Sequence, residues 1–184
     1  MSCLITSCIT IACEDRRRVG GLNFRIWRVN SMDGFSYVTD AAGYVTDFTF
    51  ANAPAQGLVT IQGLREAHSS EYSLVAAEGG TTGYTHTVRI KTIANSPEFI
   101  AVLEDHDVAD GAFVVETNGG EFWVYGINNG MYRLEGSQNF GNVANSDTSD
   151  IRAYQGDDTR MPKRFFDTDY NTTLAKLVSY EVCP

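Results

Sequence analysis

Residues 112–127 read AFVVETNGGEFWVYGI and predict a β-hairpin. Two runs rich in β-branched and aromatic residues, 112–117 and 121–127, flank the turn sequence Asn118-Gly119-Gly120. Asn and Gly tolerate the positive φ angles of tight hairpin turns, whereas Val, Phe and Trp favour pleated strands. This hairpin is the clearest local signal in the chain, and it predicts antiparallel β-structure.

Similar strand signals recur on both sides of this hairpin, separated by turn residues. Before it, the pattern predicts strands at 22–29, 35–39, 44–50 and 58–61, and a longer pair at 64–77 and 84–93. After it, strands are predicted at 131–135, 151–154 and 174–182. The pair 64–77 and 84–93 is long enough to form a hairpin that protrudes from a small domain and adds strands to a neighbour.

The strand at 84–91 alternates between two kinds of side chain, so one face should be buried and the other wet or paired with another surface. The first face carries Tyr84, His86, Val88 and Ile90, and the second carries Thr85, Thr87, Arg89 and Lys91. His86 on the apolar face is expected to be a core or interface residue and not a catalytic one.

One helix is predicted to begin after Ser96, a good N-cap, and to end near residue 108. Residues 136–149 are rich in Gly, Asn and Ser and are expected to form a flexible loop. One helix among about ten strands predicts a mainly β single domain over residues 1–184, a β-sandwich or open barrel with one flanking α-helix. Residues 1–21 are expected to form an N-terminal arm that is neither exported nor membrane-spanning.

The charge of the chain is −9 and is unevenly distributed. Residues 1–30 hold five Arg and two acidic residues, whereas residues 31–184 hold nine basic and twenty-one acidic residues, a net of −12. Proteins that bind duplex DNA show a basic stripe that releases counterions from the phosphates. The composition therefore disfavours a DNA-binding function, although DNA could slide past such a surface.

The sequence contains no motif for a nucleophile, a phosphate loop or a zinc-binding helix, so we expect no enzyme, cofactor or metal. Asp167-x-Asp169-x-Asn171 resembles the start of a calcium loop but lacks its Gly, which favours a polar loop. His106 between two Asp residues is expected at a solvated helix end. The four Cys are interpreted as small buried hydrophobes, with a metal or disulfide role left open.

Two further segments are candidates for contacts between subunits. Arg16-Arg17-Arg18 is the only basic run, and on an arm it could meet an acidic patch of the next subunit or stay solvated. Phe165-Phe166 is an apolar pair in a polar stretch, which could anchor that stretch to the core or fill a groove of a neighbour.

Several short motifs follow one another in a fixed order: Met1-x-Cys3-Leu4-Ile5-Thr6-Ser7, Cys13-x-Asp15, Gly20-Gly21-Leu22, Gly43-x-Val45-Thr46, the polar hairpin around 66–90, the single helix, residues 118–126 and Asn129-Gly130-Met131. In this order they resemble the tail tube proteins of tailed bacteriophages. The resemblance covers most of the chain as a pattern and involves no single diagnostic motif.

The resemblance implies a virion protein, assembled in the host cytoplasm, in which six copies form a ring and rings stack into a tube. Strands of all subunits would form one inner barrel with an acidic lumen, through which DNA passes during ejection without specific binding. Further partners would be tape-measure proteins and tail-terminator or head-tail connector proteins. Candidate interface residues are Arg16, Arg17, Arg18, Tyr84, His86, Arg89, Lys91, Phe165 and Phe166, and candidate lumen acids are Glu66 and Glu71.

Three alternatives remain open at this point. The chain could be another virion component, such as a head-tail joining ring or a capsid-associated protein. It could be a carbohydrate-binding or adhesive β domain that uses exposed aromatics such as Trp27, Trp123 or Tyr125. An enzyme with a scattered site is the third alternative.

Overall fold

The computed structural model describes residues 25–62, 68–76, 82–92, 97–139 and 149–182, which form eleven strands and two helices. The elements are β1 Arg25–Val29, β2 Ser36–Thr39, β3 Val45–Thr49, β4 Leu58–Gln62, β5 Ser69–Ala76, β6 Thr82–Thr92, α1 Pro97–Val108, β7 Phe113–Glu116, β8 Phe122–Tyr125, β9 Tyr132–Asn139, β10 Ser149–Asp158, β11 Lys163–Phe165 and α2 Tyr170–Ser179. The predicted mainly β, sandwich-like class is confirmed.

The strands form two sheets. The seven-stranded sheet has the order β2-β3-β11-β8-β7-β1-β4, and its pairs are antiparallel except for the parallel pair of β11 and β3. The four-stranded sheet has the order β5-β6-β10-β9 and is antiparallel throughout. The pairing of β5 with β6 confirms the predicted long hairpin, with its first strand beginning at Ser69.

The strands of the seven-stranded sheet from β8 to β4 are largely buried on both faces, whereas the outer strand β2 is mostly exposed. One face shares a core with the four-stranded sheet, formed by Ile26, Ile61, Phe113 and Val115 against Val88, Ile90 and Tyr154. The other face packs with α2 around Trp27, Val29, Leu58, Val114 and Leu177. Strands covered on both sides have continuous apolar sequences and not alternating ones. This explains why all residues of β4 and β7 are buried.

The hairpin predicted at 112–127 is confirmed. Strands β7 and β8 pair in register from Phe113 opposite Tyr125 to Glu116 opposite Phe122. The N–H of Gly120 donates to the carbonyl oxygen of Thr117 at 2.9 Å, and Gly120 has φ of +77°. A residue with a side chain is strained at that φ, so this position of the turn requires a Gly.

Helix α1 ends at Val108, as predicted, but His106 is not at a solvated end. His106 is fully buried, and the guanidinium of Arg28 on β1 donates hydrogen bonds to the carbonyl oxygens of His106 and Ala109. Asp107 forms ion pairs with Arg133 of β9 and Arg152 of β10. The solvated-end prediction is wrong, because arginines of both sheets bind this helix end. Arg28 donates hydrogen bonds to its carbonyl oxygens, and Arg133 and Arg152 pair with the carboxylate of Asp107.

The last predicted strand, 174–182, is also wrong, because residues 170–179 form helix α2. Asp169 is the N-cap of α2, and its carboxylate accepts a hydrogen bond of 2.9 Å from the N–H of Thr172. This bond lowers the pKa of Asp169. The buried residues Thr173 and Leu177 lie four positions apart and therefore on one helix face. Asp169, a residue of the calcium-loop hypothesis, thus begins a helix.

The flexible loop predicted at 136–149 is shorter than expected. Residues 136–139 belong to β9, and Ser149 begins β10. The rest of that loop, residues 140–148, and the predicted arm, residues 1–21, lie outside the described residues. Gly- and Ser-rich composition therefore did not prevent strand formation, because β10 offers a continuous hydrogen-bonding partner to β9.

Candidate assembly surface

One edge strand of the seven-stranded sheet, β4, is paired at its first residue by the end of the described chain. The segment after α2 runs beside β4, where the N–H of Leu58 donates to Tyr180 at 2.8 Å and the N–H of Val182 donates to Leu58 at 3.0 Å. The carboxylate of Glu181 accepts from Nε1 of Trp27 at 2.7 Å. The opposite edge strand, β2, has only four residues. Both are ways in which folded proteins limit edge-to-edge association.

The four-stranded sheet lacks such protection in the part of the chain that the structure describes. Its outer strands, β5 and β9, have eight residues each, and each pairs with a described strand on one side only. Both present large apolar side chains to solvent. Leu74 on β5 is 61% exposed and Leu134 on β9 is 48% exposed, and the other exposed apolar residues are Tyr72, Val75 and Tyr132.

One face of the four-stranded sheet packs on the core and the other is open. Residues opposite each other on neighbouring strands lie on the same face. Val88 and Tyr154 are such a pair on the core face, whereas Lys91 and the exposed Ile151 are a pair on the open face, which Arg89 shares because it lies two positions before Lys91. Arg89 forms an ion pair with Glu71 of β5 at 3.4 Å. The open face is therefore exposed, partly charged and continuous with both outer strands.

A groove of about 500 Å³ crosses the open side of the sheet between β6, β10 and β9. It lies where the pairing of β10 with β9 shifts register between Ala153 and Tyr154. A β-bulge of this kind re-aims side chains at a sheet edge. The lining residues include Arg89, Arg133, Leu134 and Ile151, so cationic and apolar groups meet beside the β9 edge.

The structure places the predicted interface residues in different environments. Arg89 is exposed, Lys91 is half-buried, and the half-buried ring of Tyr84 lies 6.3 Å from that of Tyr72. Phe166 is half-buried against Tyr44. Of the predicted lumen acids, Glu71 lies on the open face. Arg16, Arg17, Arg18 and Glu66 lie outside the described residues.

Two of the predicted interface residues are in the core of the chain itself. His86 is fully buried, and its Nδ1 accepts a hydrogen bond of 2.9 Å from the N–H of Gly126. Phe165 is fully buried with its ring 4.8 Å from that of Phe48. Neither side chain reaches the surface of the folded chain, so both are corrected to core residues. Phe165 anchors its segment to the core because β11 is a central strand.

Sequence reasoning selected Glu71 on β5 but not the exposed apolar residues of β5 and β9. Tyr72 and Leu74 lie two positions apart on the predicted strand 64–77, and the apolar side of a strand is normally assigned to the core. Ser70 lies opposite the buried Val88 of β6, and Tyr72 lies opposite the buried His86. Ser70, Tyr72 and Leu74 therefore share the face of these two buried residues. Only the sheet order reveals that β5 is an outer strand.

Among the described residues, no group of three or more His, Cys, Asp or Glu side chains is arranged to hold a metal ion. No helix in this part of the chain is long and apolar enough to cross a membrane. The aromatics considered for carbohydrate binding are poorly accessible, since Trp27 is fully buried, Tyr125 is buried and Trp123 is half-buried.

Comparisons with known protein families, with curated proteins and with solved structures found no match to this chain. Its function is therefore argued from its own residues.

Proposed function

We propose that this chain is a self-assembling structural protein whose copies join through the outer strands of the four-stranded sheet, as in the tail tube of a tailed bacteriophage. The observation that carries the proposal is the contrast between the edges of the two sheets. Residues 180–182 pair with the β4 edge at Leu58, whereas the eight-residue strands β5 and β9 expose Tyr72, Leu74 and Leu134. Unpaired strand edges with apolar side chains associate with other strands.

The number of strands favours a closed ring. In an antiparallel sheet of four strands, the outer strands β5 and β9 run in opposite directions. When two copies face the same way, β5 of one copy therefore lies antiparallel to β9 of the next. Such a head-to-tail contact uses two different surfaces, and it gives a ring when the repeated rotation between copies adds up to a full turn. A closed ring of sheets also removes the exposed edges.

In such a ring, the open face of the four-stranded sheet would line the lumen, since its other face packs on the core of each subunit. The strand pairing places Glu71, Glu135 and Asp157 on that face against Arg89 and Lys91. Arg133 also lines the groove there, and it is ion-paired with Asp107. Arg89 is paired with Glu71. A lumen with few free cations forms few phosphate contacts, and each such contact would add affinity and slow the passage of DNA.

The proposal extends to location and partners. The tube would belong to a virion, be assembled in the host cytoplasm, and meet tape-measure and terminator or connector proteins at its inside and its ends. The support for these points is the order of sequence motifs described above together with the acidic balance of residues 31–184.

Electron microscopy of the concentrated protein tests the proposal, with open-ended tubes expected. Leu74→Lys places a charge on the β5 edge, and Leu134→Lys places one on the β9 edge. Either change is expected to abolish assembly while circular dichroism and the unfolding midpoint stay near those of the wild type, because both side chains are exposed. Isolated rings without tubes would favour a head-tail joining component.

Val178→Lys is the matched control. Val178 is 41% exposed on α2, which packs on the seven-stranded sheet away from both outer strands. The control is expected to assemble as the wild type does. A wild-type protein that stays monomeric at high concentration, or a Leu74→Lys protein that still forms tubes, would refute assembly through these edges.

A further inference from the structure

We propose that Asn118 is a site of spontaneous deamidation in the folded protein and that Asn129 is protected from the same reaction. Asn followed by Gly occurs twice in the chain, at 118–119 and at 129–130. Asn is a thermolabile residue, and a following Gly has no side chain to hinder attack on it. The two pairs share this local sequence, but their hydrogen bonds in the folded protein differ.

The reaction needs only the chain and water. The backbone nitrogen of the Gly loses its proton and attacks Cγ of the Asn side chain. A new C–N bond forms, the bond from Cγ to Nδ2 breaks, and ammonia leaves with the proton. The resulting five-membered imide is then hydrolysed at either carbonyl, which gives aspartate or isoaspartate. The net change replaces one amide by one carboxylate and adds a negative charge.

Asn118 is accessible to this reaction. It is exposed at the tip of the β7–β8 hairpin. Two hydrogen bonds close the turn, from the N–H of Gly120 to Thr117 at 2.9 Å and from the N–H of Thr117 to Glu121 at 2.8 Å. Neither bond uses the N–H of Gly119, so the attacking nitrogen can move without breaking the turn.

Asn129 is held at both reacting groups. The N–H of Gly130, which would have to attack, donates to the carbonyl oxygen of Gly126 at 2.8 Å. The side-chain Nδ2 of Asn129, which would have to leave, donates to the carbonyl oxygen of Asp157 at 2.8 Å. Gly130 is buried and has φ of +74°. Attack would break both hydrogen bonds, the first at the buried backbone of Gly130 and the second at the exposed side chain of Asn129, and such breakage is unfavourable.

Deamidation at Asn118 would change the hairpin tip. A carboxylate at position 118 lies in sequence between Glu116 and Glu121 and adds to their negative charge. Isoaspartate also lengthens the backbone by one methylene within a turn whose hydrogen bonds depend on its length. We expect the modified protein to keep its fold, because the tip is exposed, and to lose stability locally in β7 and β8.

Peptide mapping by mass spectrometry after incubation at mildly alkaline pH tests this proposal. Conversion at Asn118 is expected to exceed conversion at Asn129 at least severalfold. In denaturant the two sites should convert at similar rates, because the hydrogen bonds that protect Asn129 are lost. Equal rates in the native protein, or conversion of Asn129 before Asn118, would overturn the proposal.

Gly119→Ala is the matched variant. A Cβ at position 119 would lie 3.6 Å from Oγ1 of Thr117, an ordinary contact, and Gly119 has no positive φ. The variant should therefore keep the unfolding midpoint of the wild type while its methyl group hinders attack and slows conversion at Asn118. An unchanged conversion rate in a folded Gly119→Ala protein would show that attack by this nitrogen is not the route.

Discussion

The backbone N–H of Gly126 donates a hydrogen bond of 2.9 Å to Nδ1 of the buried imidazole of His86. This bond ties β6 of the four-stranded sheet to the chain that leaves β8 of the seven-stranded sheet. Gly126 cannot be replaced easily, since its φ is +67° and a Cβ there would lie 2.4 Å from Cγ of Met131. The bond needs a neutral imidazole, because a protonated His has no acceptor nitrogen.

The protonation of His86 makes the free energy of unfolding depend on pH. Burial, the largest effect, lowers the pKa of His86 below its usual value of 6.5, although Asp158 and Asp157 oppose the shift. Below pH 6.5 the unfolded chain therefore binds more protons at this residue than the folded chain. The stabilisation is complete above pH 6.5 and is lost as pH falls from there towards the folded pKa. The midpoint of urea unfolding should therefore decrease as the pH is lowered from 6.5.

His86→Asn is the control for this dependence. Its Oδ1 can replace Nδ1 as the acceptor but does not titrate. The difference in stability between wild type and variant should shrink as pH falls below 6.5. A constant difference over that range would exclude His86 as a source of the pH dependence.

Arg28→Lys should destabilise the protein by at least about 2 kcal/mol. The guanidinium of Arg28 is fully buried, lies 5.1 Å from the ring of Phe113 and 4.9 Å from that of Tyr154, and donates to two carbonyl oxygens at the end of α1. An ammonium cannot reproduce the planar stack and the paired donors. Denaturant unfolding measures the change, and Arg160→Lys at an exposed position should have little effect.

Glu181→Ala should reduce the free energy of unfolding by about 1–3 kcal/mol, because it leaves a buried donor without its acceptor. Nε1 of the fully buried Trp27 donates to Oε1 of Glu181 at 2.7 Å, and Oγ1 of Thr60 donates to the same oxygen at 3.0 Å. Glu181→Gln keeps an acceptor oxygen and should cost less. Equal losses for both variants in chemical unfolding would contradict this role.

Asp169→Ala should destabilise α2, since the carboxylate caps the helix by accepting from the N–H of Thr172 at 2.9 Å. Asp169→Asn keeps an acceptor oxygen and should preserve most of the thermal midpoint. Thermal unfolding followed by circular dichroism compares the three proteins. If Asn lowers the midpoint as much as Ala does, capping is not what this side chain contributes.

The sequence predicted those elements in which the conformational preferences of neighbouring residues agree with the tertiary contacts. The Asn118-Gly119-Gly120 hairpin and the end of helix α1 near Val108 occur as expected. Turn 40–43 also forms, with Oδ1 of Asp40 accepting from the N–H groups of Ala42 and Tyr44. In these places a few neighbouring residues satisfy the backbone groups, so their identities suffice for prediction.

Prediction failed where a partner distant in sequence decides the outcome. Residues 174–180 alternate as a strand would, yet they form a helix because Asp169 caps it and Leu177 reaches the core beside Phe165. His106 is flanked by acidic residues, yet it is buried because Arg28, 78 positions earlier, binds its carbonyl oxygen. Periodicity cannot reveal contacts of this kind.

The sequence by itself determined the class of the protein: an acidic, mainly β domain with its hairpins and its main helix, because turn chemistry and side-chain preference act over a few residues. Only the tertiary structure decided which strands are outermost and which are covered. Sheet order depends on contacts between distant segments, such as Leu58 with Tyr180 and Arg89 with Ala153. That order puts Leu74 and Leu134 on the outer strands of the four-stranded sheet as the described residues form it, and it places His86 and Phe165 in the core.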